Sequence, residues 1–148
     1  MAFMEWHERY RLNILAIDLQ HRVLVDLTNE LHRAAIESRD PEEIGYAMDE
    51  LLRYIAFHFN YEETVLDEAG YPGLEAHREH HLELVKEFEA LQTEVVRGNL
   101  VLNDKVMNFL QGWLTHHIAS DDRDYAPYVK EAKSRRIVQG DSEVAPAT

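Results

Sequence analysis

The sequence predicts an all-α protein, an up-down-up-down four-helix bundle with an N-terminal arm and a short C-terminal helix and tail. Three observations carry this. Apolar residues recur at helical spacing in four long segments; proline, glycine and asparagine punctuate the joins between them; and no segment alternates with the period of two that a half-buried strand requires. With 148 residues, 45% of them hydrophobic, the chain is long enough for one real core and too short for two domains. Residues 1–133 are expected to form the bundle domain and 134–148 a flexible tail.

Residues 1–11 carry Phe3, Trp6 and Tyr10 among charges without a clear period, which suits an extended arm laid over the bundle by its aromatics. From about Leu12 to Ser38, Ile17, Leu24, Leu27, Leu31 and Ala35 trace a first helical stripe, with His21 on it. Asp40-Pro41-Glu42-Glu43 starts the second helix: an Asp cap, a proline whose missing N–H costs nothing at the first position, and acids at the positive end of the dipole. Its stripe is Ile44, Leu51, Ile55, His58, Glu62 and Leu66, and Gly70-Tyr71-Pro72-Gly73 ends it and reverses the chain. A third helix carries His77, His81, Leu84, Phe88, Leu91 and Val95 on one face and closes at Arg97-Gly98-Asn99. The fourth starts near Asn103-Asp104 and turns Val106, Leu110, Trp113 and His117 inward. Pro127 is expected to open a last short helical piece, with a loose polar tail after about Ser134.

Composition removes several classes of function. A formal net charge of -13 repels phosphate backbones and anionic lipids, so neither nucleic acid nor a membrane surface is an expected partner. Without cysteine there is no disulfide, thiolate zinc site, iron–sulfur cluster or cysteine nucleophile, and a bound metal must rely on imidazole and carboxylate. The N-terminus shows no secretory signal and no segment has eighteen apolar residues in a row, so the expected compartment is the cytoplasm.

The chemistry lies in what interrupts the apolar stripes. His58 and Glu62 are four residues apart, as are His77 and His81, so each pair stacks on one helical face roughly 6 Å apart along the axis. His21 sits on the first stripe, and His117, with a nearby Asp, on the fourth. Any one of these pairs alone is most simply a solvated surface pair. A buried, uncompensated imidazole or carboxylate costs several kcal/mol, however, and breaches on every helix of the bundle require a common cause. A metal centre supplies it. Five imidazoles and two carboxylates exceed the four positions of a tetrahedral zinc and suit a pair of six-coordinate ions, iron or manganese, sharing bridging carboxylates. Neither H-E-x-x-H nor H-x-x-E-H occurs. His7, His32, His80 and His116 are read as bystanders, and Glu63 and Glu68 as solvent charges or groups that orient a ligand from behind.

Several motifs in this order carry a resemblance: Trp6; Ile17-Asp18-Leu19-Gln20-His21; His58-Phe59 with Glu62-Glu63; Tyr71-Pro72; His77 with His81; and Trp113-Leu114 with His117-Ile118, followed by Asp122 and Tyr125. Over about residues 3–130 the sequence resembles the hemerythrin family, particularly its single-domain bacterial members. The resemblance implies a non-haem di-iron centre, two iron ions (Fe2+/Fe3+) with an oxo or hydroxo bridge, that binds O2 reversibly. His77, His81 and His117 would hold one iron, His21 and His58 the other, and Glu62 and Asp122 would bridge them, leaving the two-histidine iron one ligand short for O2. Leu24, Phe59, Trp113 and Ile118 would form the apolar O2 pocket.

His117 and Asp122 are five residues apart, about 140° from a common face of a regular helix, whereas Asp121 would align. The family spacing selects Asp122 and therefore requires the helix to distort or end there, for example in a π-type turn. The implied role is oxygen storage or delivery to an oxygen-using enzyme, non-enzymatic, with a monomer favoured. The alternatives are di-iron catalysis on peroxide or nitric oxide, and oxygen sensing through a partner protein.

Overall fold

The computed structural model describes residues 3–37, 39–99, 104–118 and 122–138. After a single 3-10 turn at Glu8–Tyr10 come five α-helices: α1 (Leu15–Ile36), α2 (Pro41–Ala69), α3 (Leu74–Val96), α4 (Asp104–His116) and α5 (Asp122–Val138). No strand occurs among the described residues. Helix α2 packs against α1, α3 and α5, and α1 packs against α4. Leu84 and Phe88 of α3 meet Phe109, Leu110 and Trp113 of α4 around a small cleft. This is the four-helix bundle that the sequence predicts, with α5 packed on the C-terminal part of α2.

The helix ends follow their local chemistry. The Asp40 carboxylate accepts the Glu43 backbone N–H at 3.0 Å, with Pro41 in the first position. Asp40→Ala is expected to cost about 1 kcal/mol, read as a lower urea midpoint. Gly70 closes α2 at φ 68, a left-handed conformation that strains any residue with a Cβ, and the Tyr71 N–H then bonds back to the Leu66 carbonyl at 3.0 Å. Gly98 (φ 80) repeats the device after α3, where Gly98 and Asn99 donate to the carbonyls of Val95 and Glu94.

The arm lies over the bundle. The Asn29 side chain pairs with both backbone groups of Met4, at 2.8 and 2.9 Å, and Phe3 stacks on His32. The Arg22 guanidinium covers the Trp6 ring, while Met4, Tyr10 and Leu12 are the buried anchors. The Asp18 carboxylate accepts the N–H groups of Leu12 and Asn13 at 2.8 and 3.0 Å, tying the end of the arm to the first turns of α1.

Two expectations for the C-terminal region are corrected. Helix α5 begins at Asp122, five residues before Pro127, with Asp122 and Asp124 in its first turn. Pro127 sits inside it, at an exposed position. Residues 134–138 are helical rather than loose, because α5 runs to Val138. The remainder of the expected tail lies outside the described residues.

The core has two apolar clusters. One gathers Leu24, Leu31, Ile55, Phe59, Phe88, Leu114 and Ile118, among others, and the second Leu12, Ile17, Leu66, Tyr125, Ala126 and Val129. Along α1 the order is Ile17, His21, Leu24, and along α2 it is Phe59, Glu62, Leu66, so a polar layer lies between the clusters.

Candidate metal centre

Helical period sets where the candidate ligands stand. His58 and Glu62 are one turn apart on α2, and His77 and His81 one turn apart on α3. His21 projects from α1, His117 follows α4, and Asp122 opens α5. All seven are buried, and the side chains of His21, His58, Glu62, His117 and Asp122 have 0% exposure. Their ligand atoms form two groups that share Glu62: His21, His58, Glu62, His117 and Asp122, and Glu62, His77 and His81, with the atoms of each group within 4.8 Å of one another.

Glu62 presents one oxygen to each side. Its Oε1 lies 2.7 Å from His77 Nε2 and 3.0 Å from His81 Nε2, and its Oε2 lies 3.3 Å from His58 Nε2. Asp122 is similarly placed, with Oδ1 3.5 Å from His77 Nε2 and Oδ2 2.7 and 3.1 Å from Nε2 of His21 and His117. His117 Nε2 is also 3.8 Å from Glu62 Oε1, the oxygen that faces His77 and His81. It thus stands between the sets, its ring 5.4 Å from that of His81, 5.7 Å from His58 and 5.9 Å from His21.

Asp122 lies in the cluster although it stands five residues after His117, and the backbone departs from the α-helix at His117. His117 and Ile118 adopt π-type helical geometry, in which i to i+5 bonding brings residues five apart toward one face. Asp121 lies outside the described residues.

Neighbouring side chains fix the imidazole tautomers. His58 Nδ1 donates to Gln20 Oε1 and His81 Nδ1 to Glu63 Oε2, each at 2.7 Å. Amide and carboxylate oxygens accept only, so Nδ1 carries the proton and Nε2 keeps its lone pair for the centre. The Tyr125 hydroxyl, fully buried, donates to Glu62 Oε2 at 2.7 Å. Removing such an orienting partner typically costs about 10- to 100-fold in metal affinity. Gln20→Ala is expected to weaken iron binding on that scale, measured by competition with a chelator.

Electrostatics keep the site receptive to a cation. Burial, reinforced by His58 and opposed by Glu62, lowers the His21 imidazole from 6.5 to about 3. Burial likewise holds His117 well below its ordinary value. For Glu62, burial pushes the carboxyl up, but the surrounding imidazoles, His117 first and then His58, His77 and His81, outweigh it and hold it well below the usual carboxylate range. Burial, with Asp122 and Glu62 adding to it, pushes the Tyr125 phenol well above 10, so it remains a donor.

The family model described as the hemerythrin HHE cation binding domain matches residues 13–129. The chain belongs to the hemerythrin family. It is 34% identical over 130 residues to bacteriohemerythrin of Stenotrophomonas maltophilia (strain R551-3), covering 88% of this chain and 84% of that protein. Bacteriohemerythrin of Methylococcus capsulatus (strain Bath) is also 34% identical, over 128 residues covering 86% of this chain and 97% of the relative. The crystal structure of wild-type hemerythrin superposes with a TM-score of 0.80 at 32% identity, covering 86% of this chain and 98% of that one.

Family and geometry agree on the cofactor of this hemerythrin, a di-iron centre, and on an oxygen-binding protein. The donor set fits it. Nε2 of His21, His58, His81 and His117 are buried yet engage in no hydrogen bond, although carboxylate oxygens stand close to each of them. Lone pairs aimed past their neighbours are what a common cation needs. First-row ions hold N and O ligands at roughly 2.0–2.2 Å, which spaces adjacent ligands about 3 Å apart, and most of the contacts above are near that.

The sequence-derived wall residues surround the histidines. Phe59 stacks on His81 with ring centroids 3.6 Å apart, and Trp113 stacks on His117 at 5.8 Å. Leu24 and Ile118 share the adjoining apolar cluster with Phe59. Of the expected bystanders, His7 and His116 are exposed, and His32 and His80 half-buried. Sequence reasoning assigned no role to Gln20 or Tyr125. Both occur in the motifs that carry the family resemblance, but only the fold shows what their polar atoms touch.

Proposed function

We propose that this hemerythrin binds O2 reversibly through the seven side chains named above, as a store or a source for an oxygen-using enzyme in the cytoplasm. His21, His58, His77, His81 and His117 would hold the iron pair through their imidazoles, and Glu62 and Asp122 would be the carboxylates shared within the set. The observation that supports the reading is a buried, imidazole-rich ligand set with Phe59 and Trp113 stacked on two of its histidines and Leu24 and Ile118 in the adjoining apolar cluster.

When bound, the iron pair supplies the electrons for reversible O2 binding. The chain's own contribution is confinement and orientation. Phe59 and Trp113, stacked on two of the histidines, keep water and its protons from the apolar side. Gln20 and Glu63 hold His58 and His81 in the ligating tautomer, and Tyr125 steadies Glu62. No helix among the described residues is long and apolar enough to cross a membrane.

The test is to add O2 to the reduced, iron-loaded protein and follow its visible spectrum. A stable coloured adduct that bleaches under vacuum supports carriage. Rapid irreversible oxidation by O2, with no adduct that bleaches under vacuum, contradicts it.

A further inference from the structure

Three tyrosines lead away from the centre in single steps. The Tyr125 hydroxyl donates to Glu62 Oε2 at 2.7 Å, and its ring lies 5.6 Å from that of His77. Tyr71, in the turn between α2 and α3, packs edge-on against Tyr125 with ring centroids 6.2 Å apart. It also packs against Tyr128 at 5.1 Å. Tyr125 is fully buried, Tyr71 half-buried, and Tyr128, one turn along α5, is 43% exposed. Neither liganding nor the apolar wall uses Tyr71 or Tyr128.

We propose that Tyr125, Tyr71 and Tyr128 form a one-electron path from the candidate centre to the surface, along which oxidising equivalents delivered by a peroxide leave the bundle instead of attacking its ligands. The proposal rests on the di-iron reading and goes beyond oxygen binding. Phenols are among the few side chains that give up one electron to a strong oxidant and recover it. Edge-to-face contact between successive rings makes each transfer short, and the Tyr125–Glu62 hydrogen bond lets the phenol proton shift to the carboxylate and return as the electron is replaced from Tyr71. Tyr71, half-buried at the turn, releases its own proton to water and takes one back when Tyr128 replaces its electron. At the exposed end, the Tyr128 proton passes to water.

The stoichiometry closes without another reagent. One hydrogen peroxide and two tyrosine phenols give two waters and two phenoxyl radicals: the O–O bond breaks, each oxygen gains one electron and one proton, and each phenol loses one of both. Two Tyr128 radicals from separate molecules then couple as a dityrosine.

The experiment treats iron-loaded protein with hydrogen peroxide, freezes samples for electron paramagnetic resonance, and maps oxidised residues by peptide mass spectrometry. Wild type is expected to show a tyrosyl signal and a dityrosine at Tyr128, which zinc-loaded protein lacks. Tyr71→Phe is expected to lose the Tyr128 product while keeping iron content and the reversible O2 spectrum, and Tyr128→Phe to lose the cross-link but keep the radical. Unchanged Tyr128 product in Tyr71→Phe, or oxidation confined to Trp113 or to the ligand histidines, overturns the path. Iron content and the O2 spectrum, read on the same samples, separate that result from failure of the di-iron reading.

Discussion

Glu62→Ala is expected to lose the paired centre, with iron content falling from a pair per chain to at most a single ion and the oxygen-dependent visible band disappearing. Glu62 is the residue common to both ligand groups, and it offers Oε1 to His77 and His81 and Oε2 to His58. Without it Asp122 is the one carboxylate left between the two sets, and a second cation would sit under-compensated in a buried layer. Metal-binding free energy is also folding free energy, so the variant should unfold at lower urea concentration than wild type. Glu50→Ala, on the exposed face of the same helix, should retain the pair. A full complement of iron in Glu62→Ala, measured by elemental analysis, contradicts the bridging role.

Acid is expected to unfold the metal-free chain. His21 titrates at about 3 in the folded protein, chiefly because it is buried, and at the ordinary 6.5 once unfolded. Between those values the unfolded chain binds a proton that the folded chain does not, so stability falls as pH falls through that window. For this one group the loss is on the order of 5 kcal/mol, comparable to the whole stability of many small domains. His117 acts in the same direction. Glu62, held below the ordinary 4.5, adds a contribution that is present above that value and disappears as pH falls through its lowered one. Urea midpoints of the metal-free protein should therefore drop steadily from about pH 6.5 downward. Midpoints that stay level to about pH 4 would contradict the buried, neutral state of His21 and His117. The iron-loaded protein should release metal in the same window, because its histidine ligands must stay neutral to bind.

The bundle was legible because its signals are local. Asp40-Pro41 and Gly70 set the limits of α2 through caps that need only neighbouring residues, and the apolar period revealed which face turns inward. The histidines were legible for the opposite reason: they violate that period, and a violation on every helix of the bundle is explained by a cation and by little else. Less could be read where position depends on a neighbouring element. Pro127 marks a helix start by its own preference, yet α5 begins at Asp122, where the chain must place a carboxylate in the site. The five-residue step from His117 to Asp122 required a local departure from the α-helix, with a π-type turn as one way to meet it, and the structure shows π geometry at His117. Gln20 and Tyr125 gave no periodic signal of a role, since one hydrogen bond across the core is all that distinguishes them from ordinary buried polar residues.

The central claim is that side chains from every helix of the bundle, with Asp122 at the start of α5, hold an iron pair within the polar layer. Anomalous X-ray scattering at the iron edge, on crystals of protein grown with iron, tests it most directly. A pair of peaks flanking Glu62 and Asp122, with His77 and His81 on one side and His21 and His58 on the other, is the predicted result. A single peak, or none between the four helices, would contradict it.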